Sequence, residues 1–161
     1  MIHVETLLYI VKDRKVLLIL KKKGLGAGLY NGVGGKLEEG ETPIQAAIRE
    51  CIEEIGVKPT GVRWMGLIEF YNDNALYGFV HVFLANGYVG EPQETEEAKP
   101  VWFEIDEIPY DRMWEDDKYW FPLILKENKK IYCRFYFVDD WEKLVRSEIY
   151  ILTEESVAKE K

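Results

Sequence analysis

Glu50, Glu53 and Glu54 stand at positions i, i+3 and i+4 of the run Arg49-Glu50-Cys51-Ile52-Glu53-Glu54-Ile55-Gly56-Val57. On a helix that spacing projects all three carboxylates from one face. Like charges on one stripe repel by roughly a few tenths of a kcal/mol per pair, so something must favour them. Hard oxygen donors gathered this way suit Mg²⁺ or Mn²⁺, which take carboxylates together with phosphate oxygens of a substrate. Taken alone, an acidic stripe reads first as a solvated helix face. The preceding segment changes the balance: Gly24, Gly26, Gly28, Gly32, Gly34 and Gly35 crowd the approach to the helix, which suits backbone held close to a ligand or metal.

The helix itself is well signalled. Thr42-Pro43-Ile44-Gln45 supplies an N-cap, a proline at the first helical position and a glutamine to complete a capping box. Gly56 supplies the stop. Ile44, Ile48, Cys51, Ile52 and Ile55 fall opposite the glutamates and are expected to bury that face. Around this helix, Thr6–Val11 and Val16–Leu20 read as strands joined by a polar turn. Val62–Phe70 and Tyr77–Ala85 read as a hairpin across Asn72-Asp73-Asn74, and Val101–Ile105 as a short strand after an acidic loop over Glu91–Lys99. A second helix covers part of Lys118–Glu127, with Pro122 obscuring its start. Ile131–Val138 and Lys143–Leu152 close as a last hairpin around Asp139-Asp140. Strands with two helices predict an α/β architecture, a mixed sheet sandwiched between helices. Residues 1–152 are read as one domain and 153–161, rich in Glu and Lys, as a mobile tail.

Composition narrows the function. At 161 residues, 47% hydrophobic and 14% aromatic, the chain can bury a sizeable core and is not a disordered segment. A net charge of −8 speaks against a nucleic-acid backbone as partner, although a bound divalent cation would still allow a small polyphosphate. Cys51 and Cys133 are too few for a disulfide scaffold and are expected to be free thiols of a cytoplasmic protein. With only His3 and His81, zinc ligation is not expected. The longest apolar runs are far below membrane-spanning length and no signal peptide opens the chain. The chain is read as a monomer, with an oligomer as the open alternative.

Written out, Gly35-x5-Glu41-x7-Arg49-Glu50-U-x-Glu53-Glu54-x-Gly56-U, with U apolar, resembles the signature of the Nudix hydrolases, Cys51 being a mild departure at U. The resemblance implies the Nudix fold. The loop from Lys21 to Lys36 and the segment from Ile108 to Leu123, with Trp114-Glu115-Asp116-Asp117, are similar to the MutT-homologue oxidised purine nucleoside triphosphatases. That similarity runs to about Leu152. It implies hydrolysis of a purine nucleoside triphosphate to the monophosphate and pyrophosphate. It also implies metal ligation by Glu50, Glu53 and Glu54, with the Gly34 carbonyl and a carboxylate matching Glu97. Metal ions neutralise the polyphosphate and lower the pKa of a bound water, and a carboxylate not fully committed to metal takes the proton. Glu53 and Glu50 are both candidates for that base. Arg49 reads more as an anchor for neighbouring carboxylates than as a substrate contact, and Glu41 as its partner or as an orienter of the helix start. An exposed acidic loop is an equal reading for Glu97.

For the base, Trp114 would supply a platform, with Asn31, Asp116 and Asp117 reading the polar edge. Thr6, Lys21, Phe70 and Phe137 match further lining positions. Two adjacent carboxyls facing one apolar pocket should not both ionise, so one would stay neutral and donate. The bland readings are that an Asp of the pair caps the following helix, that Trp114 is core and that Asn31 is a turn residue. Leu25 stands where the relatives have an aromatic, Glu115 where they have proline, and Gly78 where a Met is expected. The expected substrate is a damaged purine triphosphate, 8-oxo-dGTP first and 2-hydroxy-dATP next. The alternatives are a Nudix hydrolase of another nucleoside diphosphate derivative, such as a dinucleoside polyphosphate or ADP-ribose, and a silent nucleotide-binding module.

Overall fold

The computed structural model describes residues 2–153; the expected mobile tail lies outside the described residues apart from Thr153. The elements in chain order are β1 (His3–Lys12), β2 (Lys15–Lys21), β3 (Tyr30–Asn31), α1 (Pro43–Ile55), β4 (Lys58–Thr60), β5 (Arg63–Asn72), β6 (Ala75–Ala85), β7 (Gly87–Val89), β8 (Ala98–Glu104), α2 (Asp117–Leu125), β9 (Lys130–Val138) and β10 (Lys143–Leu152). The main sheet runs β10-β9-β5-β6-β1-β2-β3, with β8 also on β2; β4 and β7 form a separate pair. It is mixed, because β1 pairs with β6 and β5 with β9 in parallel while the other pairs are antiparallel.

Period-two alternation splits the core in two. Tyr9 on β1 and Val16 and Leu18 on β2 face the α2 layer with Trp120, Phe121 and Ile124. Leu8 and Ile10, with Leu17 and Ile19, face α1 with Ala47, Cys51 and Ile55. The expected sandwich of a mixed sheet between helices is what forms. The hairpin turns at Asp13-Arg14 and Asp73-Asn74 both use positive φ at both central residues, the backbone twist that suits a two-residue connection between right-twisted strands.

The rotation of α1 differs from the expected one. Its buried residues are Ala46, Ala47, Cys51, Glu54 and Ile55, whereas Ile44 and Ile52 are 40% and 47% exposed. Ala47, Cys51, Glu54 and Ile55 follow i, i+4, i+7, i+8, a complete inward stripe of its own, and the small Ala47 and Cys51 let the helix lie close on β1. Apolar residues wrap so far around this helix that two faces qualified by pattern. Packing chose the one that takes Glu54 inward. The start of α2 is set at Asp117, and Pro122 sits inside it; burial of Trp120, Phe121 and Ile124 offsets the lost backbone bond. β8 begins at Ala98, earlier than the expected Val101, because Lys99 and Pro100 pair with Leu20 and Ile19.

The functionally decisive feature is a split in the sheet. β1 and β2 pair where Ile10, Val11 and Lys12 face Leu17, Val16 and Lys15, and towards their other ends the glycine segment takes over the β1 edge. Thr6 donates its N–H to the Gly35 carbonyl at 2.9 Å, Leu8 to that of Val33 at 2.7 Å, and Leu37 to that of Val4 at 3.0 Å. Only glycine fits at 34, since a Cβ there would lie 1.7 Å from the Thr6 carbonyl oxygen.

Candidate active site

The opening holds a cavity of about 500 Å³, the size of a small-molecule site. Among the residues read from the sequence, Thr6, Lys21, Asn31, Gly34, Glu54, Phe70, Glu97, Trp114, Asp116, Asp117 and Phe137 all line it. Arg49, Glu50 and Glu53 do not. The structure adds Tyr77 and Trp141 to the lining. Neither carried a motif, and the one available signal was a tryptophan placed beside the Asp139-Asp140 turn.

At the acidic end, α1 presents Glu54 inward, 8% exposed. Burial, then a hydrogen bond and repulsion from the Glu50 carboxylate, and then repulsion from Glu97, push its carboxyl up to about 8; Lys21 opposes the shift. A carboxyl pair held this close needs a proton or a cation between its members. Gly35 makes room for it, since a Cβ there would lie 2.8 Å from the Glu50 carboxylate. Arg49 organises the outer side. It donates to Glu41 from Nε at 2.7 Å and from Nη2 at 2.9 Å, to Glu50 at 2.7 Å, to Glu53 at 3.2 Å and to the Lys36 carbonyl at 3.1 Å. These bonds hold the Glu41 carboxyl below its ordinary value and the Arg49 guanidinium above its own. Glu53 remains 57% exposed along its side chain.

Glu97 is brought in by the β7–β8 connection. The Thr95 hydroxyl donates to the Glu54 carbonyl at 2.9 Å and accepts from the backbone N–H groups of Glu97 and Ala98, each at 3.3 Å. Lys22 donates to the Thr95 carbonyl at 2.7 Å and pairs with Glu94. The loop is therefore tied to the end of α1, and Glu97 faces the same cavity as Glu54. Among the described residues no three acidic, His or Cys side chains close around one point. Magnesium does not require such a cage, since it keeps waters and takes substrate phosphate oxygens, and the paired Glu50 and Glu54 oxygens are a donor set that fits it.

At the other end the aspartate pair is almost fully buried, Asp116 at 2% and Asp117 at 3% exposure. Asp116 stands at the N-cap of α2, yet no side-chain cap bond forms there; its Oδ2 accepts from Trp120 Nε1 at 2.8 Å instead. Burial raises both carboxyls. Asp116 is pushed up to about 6 by burial, against the lowering pull of the Trp120 bond, while Asp117 goes well above its ordinary value through burial and the charge of Asp116. Both carboxyls are therefore biased towards their protonated forms, Asp117 the more strongly of the two. Asp117 also raises the neighbouring Tyr9 and Tyr110 hydroxyls, each after burial as the larger cause.

Two buried side-chain oxygens lack any protein hydrogen-bond partner among the described residues, Thr6 Oγ1 and Asp117 Oδ2. Both belong to residues that line this cavity. Buried polar atoms are nearly always satisfied, so a pair of orphans in one pocket marks where a ligand's polar groups would bond. Trp114 is half-buried, packed edge-on to Phe137 at 6.2 Å. Its indole lies over the loop at Gly26, where a Cβ would come within 3.0 Å of Nε1.

Among the described residues no helix is long and apolar enough to cross a membrane, and Cys51 and Cys133 are buried and free. The chain is similar to the oxidized purine nucleoside triphosphate hydrolase of Danio rerio, 47% identical over 126 residues that make up 77% of this chain and 80% of the relative. It is also similar to the protein of that description from Mus musculus, 42% identical over 142 residues, 87% and 89% of the two chains. The crystal structure of a mutator MutT protein from Bacillus halodurans superposes with a TM-score of 0.82 at 24% identity, over 92% of this chain and 97% of that one, which shows the shared fold. Residues 1–124 match the NUDIX domain, and with the glutamate-bearing helix and the glycine segment placed as described, the chain belongs to the Nudix family.

Proposed function

We propose that this protein hydrolyses oxidised purine nucleoside triphosphates, 8-oxo-dGTP foremost and 2-hydroxy-dATP next, to the monophosphate and pyrophosphate. Such hydrolysis would remove damaged precursors from the nucleotide pool. The observation that carries the reading is the pair of orphaned polar atoms, Thr6 Oγ1 and Asp117 Oδ2, in the cavity whose other end is lined by Glu54 and Glu97. The relatives at 47% and 42% identity bear the name of this activity.

In this reading the base lies against Trp114, beside the adjoining Phe70 and Phe137 rings, with Asn31 and the aspartate pair along its edge. Oxidation changes the donor and acceptor pattern of a purine edge. A neutral Asp117 beside an ionised Asp116 meets a donor and an acceptor at once. Lys21 stands on the path to the phosphates.

Members of this family generally depend on a divalent metal ion. In this chain Glu50, Glu53, Glu54 and Glu97, with the Gly34 carbonyl, would hold Mg²⁺ or Mn²⁺. When bound, the ion supplies charge neutralisation for the polyphosphate and a more acidic water. Arg49 fixes Glu50 and leaves Glu53 with one longer bond and open access to solvent, so Glu53 is the better-placed of the two candidates to accept the proton of the attacking water.

The test is magnesium-dependent turnover of 8-oxo-dGTP against dGTP, with phosphate and pyrophosphate release scored separately. A kcat/KM at least about tenfold higher for the oxidised nucleotide, with pyrophosphate as product, supports the reading; discrimination by a hydrogen-bonding site exceeds that easily. Equal turnover, or better hydrolysis of a dinucleoside polyphosphate or ADP-ribose, refutes it.

A further inference from the structure

We infer that Trp141, in the β9–β10 turn, is a wall of the base pocket that sets affinity for purine nucleotides; the inference rests on the proposed nucleotide site. Its first support is position. Trp141 lines the cavity with Phe70, Tyr77, Trp114 and Phe137. Its ring meets Tyr77 at 5.1 Å and 90°, Phe137 at 5.4 Å and 52°, Trp114 at 6.2 Å and 73°, and Phe70 at 6.4 Å and 68°. Residues of β5, β6, β9 and the segment before α2 thus converge on one indole. The other rim of the cavity is thin: Leu25 is 52% exposed.

Its second support is backbone strain. Asp139, Asp140 and Trp141 all have positive φ, that of Trp141 being 73°. Aspartate tolerates this region; a bulky aromatic side chain does not, and glycine or asparagine would relieve it. Strain of this kind persists where the surroundings over-determine it, characteristically at ligand sites. Here the surroundings are a set of polar ties. Asn72 Oδ1 accepts from the Trp141 N–H at 3.1 Å, Asp73 Oδ1 from the Asp139 N–H at 3.0 Å, and the Phe137 carbonyl from the Asp73 N–H at 2.9 Å. Glu115 Oε1 accepts from the Leu144 N–H at 2.9 Å. The last tie gives Glu115 a positioning role, since it holds the turn bearing Trp141 against the segment bearing Trp114 and the aspartates.

An aromatic wall contributes binding in proportion to the ring it meets, and equally before and during the chemical step. Its loss therefore raises KM and spares kcat, more for a two-ring base than for a one-ring base.

The decisive variant is Trp141→Gly, which removes the indole and the strain together, with Trp141→Phe as the conservative control. For 8-oxo-dGTP we expect Trp141→Gly to raise KM roughly three- to tenfold, the span of an aromatic pair, with kcat within about twofold whatever the balance of lost packing and relieved strain does to the melting temperature. Trp141→Phe should recover most of the affinity. A pyrimidine triphosphate should show a smaller change in KM. A lowered melting temperature with kcat falling alike for every substrate would mean a purely structural residue and overturn the inference, as would an unchanged KM. Independently of turnover, Trp114→Phe protein should show quenching of its fluorescence on adding 8-oxo-dGMP, and that quenching should be lost on adding Trp141→Phe. Loss of substrate preference in the wild type with the Trp141-dependent quenching retained would refute the proposed substrate while leaving the wall in place.

Discussion

Replacing Asp116 by Asn should make this protein more stable at neutral pH and a poorer catalyst. Asp116 is 2% exposed and its carboxyl is pushed from an ordinary 3.8 up to about 6, by burial first and against the pull of the Trp120 bond. A raised value in the folded state means that the native protein holds this proton more tightly than the unfolded chain. The associated stability is complete below pH 3.8 and is lost as pH rises through about 6. The difference, at about 1.36 kcal/mol per pH unit, amounts to about 3 kcal/mol at pH 7.5. Asparagine has the same shape, still accepts from Trp120 Nε1, and carries no charge to desolvate. Asp116→Asn should therefore gain up to about 3 kcal/mol at pH 7.5, which for a chain of this length is roughly 6–12 °C in Tm. Near pH 4 the two proteins should melt within about 0.5 kcal/mol of each other. The assay is thermal melting of both proteins across pH 4 to 8, with kcat/KM for 8-oxo-dGTP alongside. Activity should drop at least about tenfold, the range for losing a hydrogen bond to a charged group. A variant less stable than the wild type by the same margin at both pH values would show that no buried charge is being held there, and the donor–acceptor account of base recognition would fall with it.

Glu54→Gln should retain the fold, since it neutralises a buried carboxyl already pushed up to about 8. It should lose at least about a hundredfold in turnover, as removal of a metal ligand forfeits several kcal/mol of transition-state stabilisation. Full activity, or unchanged Mg²⁺ uptake by calorimetry, would count against the assignment. Gly35→Ala should act on the same site from the other side. A Cβ 2.8 Å from the Glu50 carboxylate forces Glu50 away from Glu54, so turnover should fall with far-ultraviolet dichroism unchanged, and an active Gly35→Ala enzyme would show that the pair need not be held together.

How much was legible in advance differs between the helix and the pocket. The start and stop of α1 follow from a local code, a Thr42–Gln45 capping box and a left-handed Gly56, and such codes operate within one turn of chain. The strands followed from alternation over consecutive residues, and the glutamate stripe from helical spacing. Recognition of the Asp116-Asp117 pair needed the resemblance, because a two-residue acidic step before a helix is also a capping signal.

What remained was decided by contacts between distant segments. Which face of α1 turns inward could not be read from a helix with two apolar faces; the close fit of Ala47 and Cys51 on β1 selected it and drew Glu54 into the cavity. Glu97 was one of several acids in a loop until Thr95 tied that loop to the end of α1. Trp141 joined the pocket only because two hairpins lock together through Asn72 and Asp73, residues nearly seventy positions away. The protonation states of Asp116 and Asp117 follow from burial, and burial belongs to the assembled chain. Local spacing therefore determined which chemistry this protein carries, since ligand sets and caps are short-range patterns. Tertiary packing alone decided which groups lose water and face one another, and so which carboxyl keeps its proton and which ring meets the base.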